Sequence, residues 1–246
     1  MGEAMNRIRL SLPRGRWAAY QHQDLLHDAI VNALITAGAT SAQVVGAAAE
    51  PWTFAALGYH RAHVGQVHGL VISTPSTVLA DALTALQPAA VRYARASTGE
   101  LIDFSAASVS TEPPPVCTDP GSLGVLTLSP IALSAPGTQR KRWLTQLDQV
   151  DLSAAANVRL SRIVGRTVAL SVQPDSLYLR ANPRHSVLVS TKRMRNGRAA
   201  FVIGMQAPLV LTGSREDLLL AWYAGLGEKT RNGFGCLGLA EEGVGR

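Results

Sequence analysis

The sequence predicts an α+β fold of two tandem βαββαβ units, and two features support this prediction. In the N-terminal half, apolar patterns of period two and of helical spacing follow one another as strand, helix, strand, strand, helix and strand. After a proline-rich crossing at residues 111–120, the same order recurs in distorted form. This order is that of the ferredoxin-like motif, and we place the two domains at residues 1–110 and 121–246.

The N-terminal elements are the better defined. Ile8, Leu10 and Leu12 alternate with polar residues, which indicates a half-buried strand. The first helix has one apolar face and ends at Gly38. The predicted elements are strands at residues 6–12, 52–57, 67–73 and 91–96, and helices at residues 24–37 and from Ser76 or Thr77 to Gln87.

The C-terminal elements are more irregular. Asn196-Gly197 is the strongest short turn signal and predicts a β-hairpin, while Ser214 caps a helix that ends at Gly225. A helical insertion is expected at about residues 138–165, as two helices that meet near residues 151–153. The strands are expected at residues 124–133 (broken by Ser129-Pro130), 167–172, 177–180, 186–191, 199–206 and 236–240.

The positive charge is concentrated in one part of the chain. Residues 1–110 have no net charge, whereas residues 138–200 carry 12 basic and 3 acidic side chains, a net of +9 in a chain of net charge +6. Such a local excess is typical of a surface that binds a polyanion. Arginine enrichment alone is weaker evidence, since only three of the 23 basic residues are Lys, but its clustering favours a nucleic-acid partner.

Other features exclude function classes. No run approaches the roughly 18 apolar residues of a membrane span, and the first residues do not have the pattern of a signal peptide. Cys117 and Cys236 are too few and too far apart for a disulfide framework or a metal knuckle, so we expect a cytoplasmic protein. His60, His63 and His68 match no common zinc spacing, and we predict neither a metal nor another cofactor.

A glycine-rich loop at residues 225–235, which we call the glycine loop, is the most specific motif. Glycines let main-chain N–H groups approach a phosphate, and Lys229 and Arg231 add positive charge. The loop lacks the Gly-Lys-Ser/Thr ending of a P-loop and runs from a helix to a strand. The alternative interpretation is a glycine C-cap followed by a tight turn.

A helix that leads into Gly-x-Gly-(x)5-Gly-Phe-Gly resembles the signature loop of the CRISPR precursor-RNA-processing endoribonucleases of the RAMP superfamily. Three further segments agree in order and spacing: Pro51–Phe54, Leu128–Ile131 and Gly213. The resemblance spans nearly the whole chain. It implies two ferredoxin-like domains, a CRISPR repeat RNA stem-loop as partner, and incorporation of the protein into an effector complex with other CRISPR subunits.

The resemblance also implies metal-independent cleavage at the base of the stem, in which the RNA 2′-OH attacks the adjacent phosphate and gives a 2′,3′-cyclic phosphate. The family often uses a His at the start of the first helix with Tyr or Lys nearby, which here implies Tyr20, His22 and His27. His22 precedes the helix and can point outward, whereas His27 lies near its apolar face. No Lys occurs before residue 141, so Arg14 and Arg16 could supply the positive charge, and Arg16 is the catalytic candidate of the two. An arginine-dominated site would resemble the type IV branch.

Three groups of basic residues complete the expected RNA surface: one at residues 140–142, one on the following helix and one at the tip of the predicted hairpin. Arg159, Arg162 and Arg166 have the spacing of one stripe on a helix, with few acidic residues near in sequence. Such a stripe suits phosphates better than bases, although a solvated surface remains the alternative. The full set comprises Arg140, Lys141, Arg142, Arg159, Arg162, Arg166, Lys192, Arg193, Arg195, Arg198, Gly225, Gly227, Lys229, Arg231, Gly233 and Gly235. A non-catalytic RAMP-type subunit that holds guide RNA has the same features and is the alternative function.

Overall fold

The computed structural model describes residues 6–61, 64–96, 99–135, 142–194 and 197–240. The strands are β1 (Asn6–Ser11), β2 (Ala18–Tyr20), β3 (Thr53–Arg61), β4 (Val64–Thr74), β5 (Arg92–Arg95), β6 (Glu100–Asp103), β7 (Ser108–Thr111), β8 (Gly121–Thr127), β9 (Ser171–Pro174), β10 (Ser186–Arg193), β11 (Ala199–Met205), β12 (Leu209–Gly213) and β13 (Leu237–Leu239). The helices are α1 (Gln23–Thr36), α2 (Ser41–Val44), α3 (Thr77–Ala85), α4 (Leu152–Val164), α5 (Ser176–Ala181) and α6 (Arg215–Ala224). None of the helices in these ranges is long and apolar enough to cross a membrane.

The N-terminal unit is an antiparallel sheet in the order β3-β4-β1-β7. The short strand β2 pairs with β4 on the same edge as β1, beyond the end of β1. The helices α1 and α3 cover the sheet, and apolar side chains of the sheet and both helices form one core. With β1, β3, β4 and β7 as its four strands, this is the ferredoxin-like order that the sequence predicts. The strand expected at residues 91–96 forms, but the expectation that it completes this sheet is wrong.

That strand, β5, instead pairs with β6 in a separate two-stranded sheet. The main N-terminal sheet is completed by β7. This strand pairs with β1, from Ile8 opposite Thr111 to Ser11 opposite Ser108. All four residues of β7 are exposed, so its sequence Ser-Val-Ser-Thr has no apolar face from which a sheet strand could be predicted.

The C-terminal unit is an antiparallel sheet in the order β13-β8-β12-β9. Its chain order is β8, α4, β9, β12, α6 and β13, which is a second βαββαβ unit. The hairpin of β10 and β11 is inserted between β9 and β12, as the sequence predicts. The Ser214 hydroxyl accepts a hydrogen bond from the Asp217 N–H, so the predicted cap of α6 is confirmed.

Two predicted elements of this unit are wrong. The helix α4 is the first helix of the second unit rather than half of an insertion, and residues 142–150 are extended apart from a 3₁₀ turn at Leu147–Gln149. The Leu144 N–H donates to the Leu133 carbonyl, which holds this segment extended. Residues 177–180 lie in α5 instead of a strand, because the Asp175 carboxylate caps the N–H groups of Leu177 and Tyr178.

The two units are joined by buried polar contacts. Arg7 is 1% exposed, donates to the Leu237 carbonyl at 2.7 Å, and lies 4.1 Å from the centroid of the Trp222 ring. The Ser73 hydroxyl donates to the Tyr223 carbonyl at 3.0 Å. These bonds attach α6 and β13 to the N-terminal sheet, and the glycine loop connects α6 to β13 at this junction.

Candidate nucleic-acid interface

The glycine loop is buried between the two units. The Leu226 N–H donates to the Gly235 carbonyl at 2.9 Å, and the Gly235 N–H donates to the Pro130 carbonyl at 2.9 Å. Gly235 has a φ of +70°, and a Cβ there would lie 1.8 Å from the Leu226 carbonyl oxygen. Folding of the chain therefore requires this glycine, whatever the loop binds.

Two further glycines allow the loop to contact its neighbours closely. A Cβ on Gly227 would lie 2.7 Å from the Ala132 carbonyl oxygen. A Cβ on Gly233 would lie 2.0 Å from Nε2 of Gln23 and 2.8 Å from the Phe54 ring. The loop thus packs against the start of α1 and against β3. The glycines are explained by packing within the protein, which leaves the cationic side chains as the part of the loop that can meet a ligand.

The cations of the loop lie in a 3₁₀ turn and beside it. Lys229 is exposed, and its Nζ lies 5.9 Å from the centroid of the Trp143 ring. Its φ of +57° is unusual for a residue with a side chain, and such conformations cluster at functional sites. Arg231 is partly buried, which lowers the pKa of its guanidinium, and its Nη1 has no hydrogen-bond partner.

Arg159 belongs to the framework of the loop. Its guanidinium donates to the carbonyls of Gly225 and Ala224 at 2.8 and 3.0 Å, and to the Thr230 hydroxyl at 3.0 Å. Burial lowers the pKa of Arg159 to about 10, so the group remains charged at neutral pH. It offsets the partial negative charge at the carboxyl end of α6.

The basic stripe expected on α4 is wrong in its geometry. Of the three arginines, only Arg162 is exposed on this helix, because Arg159 turns inward and α4 ends before Arg166. The Arg166 guanidinium lies 2.7 Å from a carboxylate oxygen of Asp217 and 2.8 Å from one of Glu216. These acidic residues are distant in sequence, and therefore the sequence pattern does not reveal the pairing.

The β10–β11 hairpin, whose tip is basic, packs against the glycine loop and α1. Val189 and Val202 pack with Phe234 of the loop, and β10 contacts α1. Lys192 and Arg193 near the tip are exposed. Arg198 is exposed on the other side of the turn, where its carbonyl accepts a hydrogen bond from the Met194 N–H. The structure thus brings the basic hairpin and the glycine loop together.

The structure places His22 differently from the expectation that it points outward. His22 precedes α1 but is only 6% exposed, and its buried Nδ1 lies 3.6 Å from a carboxylate oxygen of Glu100 without a hydrogen bond. Tyr20 is 8% exposed, and burial raises the pKa of its phenol. Both side chains lie at the start of α1, but they are turned into the protein.

The other two catalytic candidates occupy different surroundings. His27 is partly buried, stacks on Trp52 with ring centroids 5.7 Å apart, and places Nδ1 3.1 Å from Asp28. This agrees with its expected position near the apolar face of α1. Arg16 is exposed in the loop between β1 and β2. Among the four candidates, Arg16 alone is exposed to solvent.

Several sequence-predicted residues cannot be placed. Arg140, Lys141, Arg195 and His63 lie outside the described residues. Arg142 is exposed, in the extended segment that pairs with residues 133–135. Within the ranges that the structure describes, no group of three side chains could hold a metal ion.

The sequence reasoning missed the polar cluster around His22. Glu100 lies on β6, where its carboxylate accepts a hydrogen bond from the Gln21 N–H at 3.1 Å and faces Arg95 at 3.8 Å. Arg95 also lies 3.1 Å from Asp24 at the start of α1. In the sequence, the only sign of this cluster is that charged residues begin and end the short β5–β6 hairpin. That pattern does not show which side chains these charged residues contact.

Comparison with known proteins supplies the family. The family model for the C-terminal part of CRISPR-associated protein Cas6 matches residues 112–239, just over half of the chain. A search of the curated proteins found no match.

Solved structures share the fold over nearly the whole chain at low sequence identity. A RAMP protein described as binding different RNA substrates has 17% identity and a TM-score of 0.64, over 95% of this chain and 99% of its own. A Cas6-related protein from Pyrococcus furiosus has 15% identity and a TM-score of 0.67, over 97% and 100%. A Cas6 of Thermus thermophilus has 13% identity and a TM-score of 0.53, over 96% and 98%. With the family model covering its second ferredoxin-like unit, this chain belongs to the Cas6 family of CRISPR-associated proteins.

Proposed function

We propose that this protein binds the stem-loop of a CRISPR repeat RNA, cleaves it at the base of the stem without a metal ion, and retains the product. Family membership supports repeat RNA as the substrate class. The observation that carries the proposal is the convergence of the basic hairpin, the glycine loop and α1 at the junction of the two units.

The contacts at this junction explain how one RNA could touch all three elements. The Gln23 side chain at the start of α1 donates to the Gly233 carbonyl at 3.5 Å, and Phe234 of the same loop packs against the hairpin. A duplex whose phosphates meet the hairpin tip would therefore bring its end towards the loop and α1. The grooves of A-form RNA favour recognition by shape and phosphate contacts, which arginine and lysine side chains can make.

The proposed chemistry moves two protons and needs no metal. The RNA 2′-OH loses a proton as it attacks phosphorus, and the departing 5′ oxygen gains one, leaving a 2′,3′-cyclic phosphate and a 5′-OH. His22 is the proposed base, with Glu100 beside its Nδ1, and Tyr20 and His27 are the other candidates for proton transfer. Arg16 is the proposed cation for the charge on the phosphorane.

In an arginine-dominated version of the site, exposed cations stabilise the phosphorane and no side chain titrates as the base. This version resembles the type IV branch and predicts slow chemistry. His22→Asn separates the two versions, because loss of a general base slows cleavage by about 10²- to 10⁴-fold. Single-turnover rates are measured beside urea unfolding, so that a rate lost through unfolding is recognised. An unchanged rate in a folded His22→Asn variant would exclude His22 as the base. Unchanged rates in Tyr20→Phe and His27→Asn as well would assign the chemistry to the arginines.

The first test is incubation of the protein with an end-labelled repeat stem-loop RNA in excess EDTA. A matched RNA carries one 2′-deoxy nucleotide at the cut position. We expect one cut that persists in EDTA, is absent from the deoxy RNA, and leaves a terminus that only acid or a phosphatase with cyclic-phosphate activity opens. Cleavage that EDTA abolishes would contradict the metal-independent mechanism.

A second candidate function is a non-catalytic subunit that holds guide RNA in an effector complex. The observation that favours it is the burial of His22 and Tyr20, which leaves the partly buried His27 as the one histidine or tyrosine of the predicted set with any exposure in this structure. Tight binding of the cognate stem-loop, with neither RNA cut, would establish this function instead.

A further inference from the structure

The loop between β1 and β2 presents an exposed tryptophan between the first strand and the candidate catalytic segment. Trp17 is 58% exposed, whereas Trp52 and Trp222 are 1% and 3% exposed. Arg14 and Arg16, on the same loop, are also exposed. A single exposed apolar side chain needs no explanation, but here an exposed indole and the guanidinium of Arg16 line the same cavity, where a planar group with a phosphate can bind.

The cavity next to Trp17 has a volume of about 360 Å³. Leu12, Arg16 and Trp17 of the β1–β2 loop form one wall, and Asp103 and Ser105 from the end of β6 contribute to a second wall. This volume lies at the lower end of the range for small-ligand sites. It is large enough for one planar group to lie against the indole.

Both walls are fixed by hydrogen bonds. The Leu12 N–H donates to the His68 carbonyl at 2.8 Å, which attaches the loop to β4, and the Arg16 N–H closes a turn onto the Pro13 carbonyl at 2.9 Å. On the other side, the Ser105 N–H donates to the Asp103 carboxylate at 2.8 Å. The site is therefore largely preformed, which reduces the entropy lost on binding.

The charges on the two walls have opposite signs. Within the described residues neither Arg14 nor Arg16 has an ion-pair partner. Asp103 also lines the cavity and lies 3.5 Å from the Arg92 guanidinium. The hydrogen bonds from Ser105, together with Arg92, lower the pKa of the Asp103 carboxyl, which is therefore ionised at neutral pH. A phosphate is attracted to Arg14 and Arg16, whereas the Asp103 carboxylate, partly neutralised by Arg92, attracts hydrogen-bond donors. A nucleobase between them can stack on Trp17 and direct N–H donors towards Asp103.

We propose that this pocket binds one unpaired nucleotide of the RNA, with its base stacked on Trp17 and its phosphate at Arg16. Stacking on aromatic side chains and arginine contacts to the backbone are the usual means of holding single-stranded RNA. The inference rests on the proposed function and adds to it a site for the strand that flanks the stem. Trp17 is five residues from His22, which is at most about 17 Å along an extended chain, so the nucleotide lies close to the proposed cut.

The test compares three RNAs: the stem-loop alone, the stem-loop with unpaired flanks of several nucleotides, and an unpaired oligoribonucleotide of the flank sequence. Affinities are measured for the wild type, Trp17→Ala, Trp17→Phe and the control Leu177→Ala, whose side chain is 67% exposed on α5. Trp17→Ala should weaken binding of the flanked RNA by about 5- to 150-fold and leave the stem-loop alone unchanged. Trp17→Phe should retain most of the affinity, and Leu177→Ala all of it.

Equal affinities of Trp17→Ala and wild type for the flanked RNA would overturn the proposal, as would an equal loss with the stem-loop alone. The unpaired oligoribonucleotide separates this proposal from the proposed function. If the wild type does not bind the stem-loop, the proposed function fails. The Trp17 site then stands only if the oligoribonucleotide quenches tryptophan fluorescence in the wild type more than in Trp17→Ala, and falls otherwise.

Discussion

The guanidinium of Arg159 donates a 2.8 Å hydrogen bond to the carbonyl of Gly225, at the point where α6 passes into the glycine loop. The sequence pattern had suggested that both residues face RNA. Their contact indicates instead that one residue of the predicted basic stripe holds the loop in position, while its neighbour Arg162 remains on the surface.

Arg159→Ala should destabilise the protein by about 2–4 kcal/mol, because three acceptors on the loop lose a charged donor. Arg162→Ala, one turn away on the same helix and exposed, should change the free energy of unfolding by less than about 0.5 kcal/mol. Urea unfolding of the two variants measures the difference. An Arg159→Ala variant of wild-type stability that has lost RNA affinity would show that Arg159 contacts RNA directly.

Gly235→Ala tests whether packing within the protein requires the glycine motif. The added Cβ would lie 1.8 Å from the Leu226 carbonyl oxygen, so we expect a loss of about 3 kcal/mol or more, or failure to fold. Gly165→Ala is the control, since Gly165 has a φ of +68° and nothing within 4 Å of an added Cβ. Gly165→Ala should lower the free energy of unfolding by only about 1 kcal/mol, through backbone strain. Equal melting temperatures for the two variants would contradict a steric role for Gly235.

The predictable parts of this fold are those in which side-chain pattern and local chemistry agree. The apolar face of α1 and the Ser214 cap each determine an element locally. Asn196 of the predicted hairpin turn lies outside the described residues. In contrast, β7 is held in the sheet by main-chain pairing with β1, and its four exposed side chains carry no signal. The apolar residues Trp143 and Leu144 fit the predicted helix, but their apolar character does not distinguish a helix from the observed segment paired with residues 133–135.

The candidate site was predictable in its elements but not in its side-chain orientations. The sequence identified the hairpin, the loop and the start of α1, but not which side of each faces solvent. Arg166 pairs with Asp217 and Glu216, which are about 50 residues later in the chain. His22 lies beside Glu100, which is on β6. Such long-range pairs decide whether a charge is available to a ligand, and a single sequence contains no record of them.

Acid should destabilise the junction of the units through Glu112. Burial alone would raise the pKa of Glu112, but the adjacent guanidinium groups of Arg7 and Arg9 outweigh this effect and lower it. The stabilisation is therefore complete above the unfolded-state pKa of about 4.3 and is lost as the pH falls through the lower folded-state pKa. Glu112→Gln leaves the buried Arg7 without its carboxylate partner and should cost about 3–5 kcal/mol at pH 7.

Urea unfolding at pH 7, 5 and 3 checks this prediction. The difference between wild type and Glu112→Gln should shrink towards pH 3, because protonation then removes the same charge from the wild type. Glu216→Gln is the control, since its side chain is 65% exposed and its pairing with Arg166 should contribute about 1 kcal/mol or less. A Glu112→Gln penalty that does not change with pH would assign the effect to packing rather than to charge.

The hairpin tip should contribute to RNA affinity mainly through phosphates. Lys192→Ala and Arg193→Ala remove exposed cations from the end of β10, and each lost phosphate contact should reduce the salt dependence of binding. We expect the slope of log K against log salt to become shallower by about 0.9 per contact, with weaker binding to stem-loops of unrelated sequence as well.

Arg215→Ala is the control, because Arg215 is exposed at the start of α6, about 15 Å along that helix from the glycine loop. Filter binding at several salt concentrations measures the slopes. Loss of affinity for one stem sequence alone, with an unchanged slope, would show instead that the tip reads bases.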